Sequence, residues 1–292
     1  MLGLFVFADI NALKVFPEAH HQAFKSGVVS EFPGSFYLNP ATASVSDSSL
    51  CFSYNMYLPG VSMAFLSLGY PGELFTGRWG LSFAMVRVAP FNEYDEYGFT
   101  SGYIGSVDAI TKFSWAKTFA NMISAGASLG FIYSSVAGET TSSVFLDLGA
   151  LFRSHFDFLD IRKTGENNFF AGVSVNNLGL PAKYSTDSDT LPIKVNFGLA
   201  VKPLSFVELP VHFSYSDGDI AAGASLLGSY KVSAVRIEGG LSYAYSKSLK
   251  KGLSFGFGVS GKVAGNRMGI FYAGELTEVM GLSHGVELLV SF

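Results

Sequence analysis

The chain has 292 residues, with 19 Lys+Arg against 23 Asp+Glu, so only 14% are charged, where an ordinary soluble domain carries about 25%. With 49% hydrophobic residues and a mean hydropathy of +0.34, composition excludes disordered, collagen-like and coiled-coil chains. The net charge of −4 supplies no basic patch for a nucleic-acid partner.

Something apolar must surround or fill this chain, yet no stretch reaches the roughly 20 apolar residues of a membrane helix. The best runs, 2–8 and 63–68, stop short, and Ser, Gly, Asn or a charge interrupts elsewhere. A chain in lipid without spanning helices has one option left, a β-barrel whose strands pair all the way round.

Residues 1–8, MLGLFVFA, read as the end of a secretory signal with Ala8-Asp9 as the cleavage point, although the basic n-region is missing and an ordinary apolar N-terminus is the alternative. Residues 9–49 lack strand periodicity and hold His20, His21, Pro33, Gly34 and a Ser/Thr-rich run from Thr42 to Ser49. They are expected to form a non-strand segment that folds into the lumen of a barrel spanning 50–292. Cys51 is alone, so cysteine builds neither a disulfide nor a zinc site. His20-His21 lacks a third ligand at useful spacing; no metal and no cofactor are expected.

From Leu50 onward the pattern has period two, the mark of a sheet with one apolar face. Leu253, Phe255, Phe257 and Val259 alternate with Gly252, Ser254, Gly256, Gly258 and Ser260. The contrast recurs at 193–201, 207–215 and 286–292. Fourteen segments follow: 50–58, 61–70, 78–88, 107–118, 121–134, 142–153, 168–176, 191–202, 205–216, 220–231, 234–245, 252–263, 266–277 and 283–292. Their length suits tilted membrane strands of about 9–11 residues better than the roughly 5–6 of soluble sheets.

Counting back from a C-terminal strand that ends in the periplasm, the joins at Phe119-Ala120, Pro203-Leu204, Val232-Ser233 and Ala264-Gly265 are tight and periplasmic. Those from Ala89 to Ser106 and from Asn177 to Thr190 are long and outer, as in bacterial barrels. Two joins break the rule, the long periplasmic one from His155 to Asn167 and the short outer one at Pro59-Gly60. Tyr54, Tyr57, Tyr70, Trp79, Trp115, Tyr133, Tyr215, Tyr243, Tyr245 and Tyr272 are expected in interfacial girdles, and the 28 Phe on the outer wall. The fold class is therefore all-β: a transmembrane antiparallel barrel of about 14 strands with an N-terminal plug.

Two motifs mimic chemistry. Gly126-Ala127-Ser128-Leu129-Gly130 matches the nucleophile elbow, which needs a strand-to-helix turn, but falls in the middle of an expected strand. Gly256 to Gly261 matches G-x-G-x-x-G, yet another strand follows where a dinucleotide site needs a helix. No enzyme is expected. The acidic cluster Glu93, Asp95 and Glu96 falls in an outer loop and reads as solvated.

Phe36-Tyr37-Leu38-Asn39-Pro40-Ala41 precedes the first strand. With fourteen strands following and a terminal aromatic, it resembles the FadL-type family of long-chain fatty-acid transporters of bacterial outer membranes. Ala171 to Gly179, AGVSVNNLG, with Leu191-Pro192 beyond, is similar to the PorV/PorQ-type and short spirochaetal relatives. The resemblance covers about 27–292. It implies a barrel plugged by a hatch bearing Asn39, Pro40 and Ala41, through which hydrophobic molecules pass from the outer leaflet by way of a lateral opening. Phe36, Tyr37 and Leu38 are then candidates for ligand contact. Ala89-Pro90, closing the third strand, is the candidate opening, since Pro ends a ladder. Phe292 resembles the terminal aromatic read by the outer-membrane barrel assembly machinery. The expected partners are membrane lipid, a hydrophobic small molecule and that machinery. This chain is much shorter than the well-studied transporters, chiefly in the outer loops, which puts the capture groove and substrate in doubt. A scaffold for secreted proteins and a soluble β-sandwich are the alternatives.

Overall fold

Large side chains on alternate positions leave each segment with one bulky and one small face, and the chain satisfies both by closing on itself. The computed structural model describes residues 13, 19–24, 26–46, 48–58, 60–74, 76–94, 100–183, 188–248 and 250–292. The expected signal remnant, 1–8, lies outside the described residues, as do the side chains of His20, His21, Glu93, Asp95 and Glu96.

A short helix, α1 (Ala19–Phe24), precedes two single 3-10 turns, Ser35–Tyr37 and Pro40–Ser44. The strands follow as β1 (Ser49–Leu58), β2 (Val61–Leu74), β3 (Gly77–Tyr94), β4 (Thr100–Phe119), β5 (Ile123–Val136), β6 (Glu139–Ser154) and β7 (Phe169–Gly179). A small hairpin of β8 (Ala182–Lys183) and β9 (Ser188–Asp189) leads to β10 (Lys194–Leu204), β11 (Val207–Ser216), β12 (Asp219–Val232) and β13 (Val235–Ser246). β14 (Lys250–Val263), β15 (Asn266–Thr277) and β16 (Gly281–Ser291) complete the chain. Each barrel strand pairs antiparallel with its sequence neighbours, and β1 closes on β16 with Phe52 opposite Leu288 and Tyr54 opposite Val286. Fourteen strands form the closed wall and β8–β9 stands apart.

The wall faces two solvents. Along β1 the buried residues Cys51, Ser53, Asn55 and Tyr57 point inward, while Leu50, Phe52, Tyr54 and Met56 are exposed outward at 41–44%. Leu253, Phe255, Phe257 and Val259 of β14 do the same opposite Ser254, Gly256 and Gly258. So large an unbroken apolar exterior is excluded for a protein in water; it is the lipid-facing wall of a transmembrane barrel.

The rim carrying the start of β1 and the end of β16 is here the lower rim. Its joins are tight except for 155–168; the upper rim carries the longer ones at 95–99 and 180–193. Tight turns at Ala137-Gly138, Asp217-Gly218 and Ala264-Gly265 place both central residues at positive φ, the geometry that matches strand twist in two-residue hairpins. Aromatic residues gather near both rims, Tyr133, Tyr215, Tyr243 and Tyr245 at upper strand ends, Tyr70, Trp79 and Trp115 at lower ones, as interfacial anchoring requires.

Three expectations are corrected. β3 does not end at Ala89-Pro90: the β3–β4 ladder shifts register between Val88 and Phe91 and then continues to Tyr94 opposite Thr100. A bulge absorbs the proline, and most of the expected Ala89–Ser106 loop is strand. Tyr57 is no girdle residue, since it faces the lumen and is 6% exposed. The Phe excess is divided: Phe52, Phe83, Phe113 and Phe131 face outward, but Phe24, Phe36, Phe65, Phe145, Phe170 and Phe271 are buried.

Candidate functional site: the filled lumen

What occupies the barrel interior is the chain's own N-terminal segment. α1 packs on β12 to β16 and β1, and the Pro40–Ser44 turn packs on β3 to β6, so 19–44 touch inward-facing residues around most of the wall.

The Asn-Pro-Ala box is the best-fixed point. Asn39 is fully buried and extended, with φ −131 and ψ 103, and it caps the Pro40–Ser44 turn by accepting the Ala41 N–H at 3.1 Å. Its Nδ2 donates to Val28 O at 2.7 Å and to Ala150 O of β6 at 3.1 Å. One side chain thereby satisfies the turn, the preceding segment and the wall. Pro40 occupies the first position of the turn, where the missing N–H costs nothing. The wall recedes to admit this box. A Cβ on Gly126 of β5 would lie 2.6 Å from the Pro40–Ala41 peptide, one on Gly172 of β7 would lie 2.5 Å from Val28 O, and one on Gly149 of β6 would collide with Asn39.

Beside the box lies a buried charge pair. Lys112 of β4 and Asp147 of β6 meet at 2.8 Å with 3% and 0% exposure. Lys112 Nζ also donates to Tyr37 O at 3.0 Å and sits 4.0 Å from the Tyr37 ring centroid and 5.3 Å from that of Phe145. The other Asp147 oxygen accepts the backbone N–H of Asn177 at 2.7 Å. Both ions thus have the additional partners that a buried pair requires. Asn177 reaches Asp147 because it stands at φ 65, where the β6–β7 ladder shifts register between Leu146 and Leu148; its Nδ2 donates to Pro192 O at 2.9 Å. Asn176 donates to Leu38 O at 3.0 Å and accepts from Asn196 at 2.7 Å. The Val-Asn-Asn stretch therefore grips the N-terminal segment and the 180–193 join.

The six candidate positions divide. Tyr37 and Leu38 belong to an apolar cluster in the upper lumen with Tyr57, Met63, Phe65 and Phe145. Phe36 is turned away into a separate cluster with Ala43 and Ala116, its ring over Gly80. Asn39, Pro40 and Ala41 form the turn below. Among the described residues the Tyr37 hydroxyl, buried in the apolar cluster, has no hydrogen-bond partner. Sequence reasoning missed Lys112 and Asp147 altogether. Phe292 follows β16, is 58% exposed and donates its N–H to Ser48 O at 3.0 Å.

The lower lumen is of the opposite character. Between the 24–33 segment and the wall lies a cavity of about 510 Å³, lined by Glu31, Lys202, Glu208, Arg236, Glu238 and Arg267 among others. These charges are paired: Glu31 with Arg153 and Lys202 at 3.5 Å, Lys202 with Glu208 at 3.4 Å, and Glu238 with Arg236 at 2.7 Å and Arg267 at 3.3 Å. A packed apolar cluster thus sits above a polar cavity, with the Asn39 turn between.

The sequence motifs for chemistry do not assemble. Ser128 lies in mid-strand facing the lumen, bonded to Ser114 Oγ at 2.7 Å, so the elbow is absent. Gly256 to Gly261 runs along β14 into a turn and β15. Among the described residues no group of His, Cys, Asp or Glu could hold a metal ion.

No protein-family model and no curated relative matches the sequence. Solved structures do match. The CymD monoaromatic hydrocarbon channel superposes with a TM-score of 0.63 at 12% identity, covering 96% of this chain and 98% of that one. The toluene transporter TbuX of Ralstonia pickettii gives 0.62 at 10% identity over 96% and 98%, and a FadL homologue of Pseudomonas aeruginosa gives 0.57 at 9% over 94% and 97%. At such identities the likeness is one of fold: this chain is built on the same barrel architecture as those proteins.

Proposed function

We propose that the protein is an outer-membrane conduit for hydrophobic small molecules, with residues 9–49 as its hatch and no bond made or broken. The observation that carries this reading is the division of the lumen into a buried apolar cluster around Tyr37 and Leu38 and a polar cavity beneath the Asn39 turn. An apolar solute gains by entering the first and loses by entering the second. The names of the similar barrels, a monoaromatic hydrocarbon channel and a toluene transporter beside a FadL homologue, support a hydrophobic cargo. Small hydrocarbons and long-chain fatty acids are the two candidate classes.

In this reading the lower rim faces the periplasm, membrane lipid surrounds the wall, and Phe292 at the end of β16 serves as the signal for the barrel assembly machinery. The Ala89-Pro90 region supplies the lateral opening. Beyond Val88 the β3–β4 pair continues past the short β1–β2 turn, and Ala89 N–H bonds Gly60 O of that turn. Pro90 has no N–H to offer an edge. The upper rim offers the scaffold alternative little surface, with two-residue turns at 59–60, 137–138 and 217–218 beside the longer joins at 95–99 and 180–193.

Uptake of labelled toluene and labelled oleate into liposomes, with and without refolded protein, tests the proposal. Faster entry of at least one is expected, and the one accelerated more identifies the class. Equal rates with and without protein for both would remove transport.

A further inference from the structure

The long join 155–168 breaks the rule of tight turns at the lower rim, and it is not a slack one. Asn168 bonds both the N–H and the C=O of Phe156 at 2.9 Å, Asp160 accepts from Gly165 N–H at 2.9 Å and Thr164 Oγ1 at 3.2 Å, and Ile161 N–H reaches Pro203 O at 3.2 Å. His155 spans the loop, with Nδ1 2.7 Å from Glu166 O and Nε2 3.0 Å from Asp157. A loop so tied presents its side chains in fixed directions.

Those directions are amphipathic. Asp160, Thr164, Glu166 and Asn167 line the polar cavity, whereas Phe158 and Ile161 stand 82% and 70% exposed. Holding two large apolar side chains in water is unfavourable unless something covers them. The aromatic contacts indicate what does. Phe152 of β6 and Phe169 of β7 lie on the outward wall, 6.3 Å apart between ring centroids; Phe169 meets Phe156 at 5.4 Å, and Phe156 meets Phe158 at 5.7 Å. An unbroken stripe therefore runs from the lipid-facing wall onto the loop. Arg162, its guanidinium 4.8 Å from the Phe206 ring centroid, and Lys163 follow directly. Apolar side chains beside flexible cations suit the boundary between acyl chains and phosphates.

We propose that the 155–168 loop is an interfacial anchor, inserting Phe158 and Ile161 into the leaflet at the lower rim with Arg162 and Lys163 at its lipid phosphates. The loop thereby fixes the depth and tilt of the β6–β7 side of the barrel, whatever the barrel carries.

The test places an environment-sensitive fluorophore at Phe158→Cys in a Cys51→Ser background, with Thr164→Cys as the cavity-facing control. Both are reconstituted in phosphatidylethanolamine–phosphatidylglycerol vesicles, and only protein showing a heat-dependent gel shift is read. Nitroxide on lipid should quench the Phe158 label several-fold more than the Thr164 label, with the reverse order for a soluble quencher. Equal access of the soluble quencher to both would overturn the proposal and assign the stripe to a soluble protein partner. Ile161→Cys, read in the same way, serves where Phe158→Cys fails to fold.

Discussion

Single side chains decide how the lumen is filled, and Lys112 and Asp147 show why these are hard to read from sequence. In the chain they are 35 residues apart, each on an alternating strand where an inward charge looks like an ordinary solvated lumen residue. Only the closed wall brings them to 2.8 Å and caps them with Tyr37 O and the Asn177 N–H. Removing one partner strands the other charge in a dry site, at about 3–5 kcal/mol. Lys112→Met and Asp147→Leu, each alone, should therefore lower stability in a denaturant titration by about that much. The double variant should recover most of it, short of the roughly 1–3 kcal/mol for the orphaned Asn177 N–H. Purely additive losses would show that the two do not act as a pair. Asn39, in contrast, was singled out beforehand with Pro40 and Ala41, through the resemblance rather than through its cap. What the sequence hides is that the same side chain also bonds Ala150 of β6. Asn39→Ala leaves Val28 O, Ala150 O and the Ala41 N–H without this partner, so amide exchange at residues 41–46 should accelerate while the strands stay protected.

At the scale of elements, period two was sufficient for the wall. Every segment expected as a strand is one, because lipid outside and a crowded lumen inside impose opposite side-chain sizes on alternate positions. Ends were less legible. β3 and β4 continue past Pro90 because a bulge lets a ladder survive a missing N–H, and nothing local announces that. The distribution of Phe was misread for a related reason: alternation says which residues share a face but not that the segment ahead of β1 supplies an apolar filling for the other. The 155–168 loop, anomalous by length alone, carries a pH dependence of its own. Hydrogen bonds from His155 to the Glu166 carbonyl and to Asp157 raise its pKa above the usual 6.5. A raised folded-state value means the contribution to loop order is complete below about pH 6.5 and is lost as pH rises through the raised value. Tryptic cleavage at Arg162 and Lys163 in detergent, relative to that of His155→Gln, should increase over that interval; a constant ratio would show that the histidine does not hold the loop.

The whole molecule joins a lipid-facing wall to an interior divided by its own chain. The scarcity of charge that set this chain apart from an ordinary soluble domain follows from the wall, and Glu31, Lys202, Glu208, Arg236, Glu238 and Arg267 gather at the lower cavity. Above them the Asn39 turn, held by glycine-floored strands and the Lys112 pair, lies between that cavity and the packed apolar cluster. The fold was legible because membrane barrels repeat one rule fourteen times; of the segment ahead of β1 the missing period showed that it is not strand, and the resemblance alone suggested a hatch. The central claim is that this segment closes the barrel to ions while leaving an apolar route. Conductance across a planar bilayer measures it most directly. The intact protein should show almost no steady ionic current, and the Asn39→Ala, Lys112→Met double variant should show intermittent openings. A large steady current through the intact protein would contradict the account.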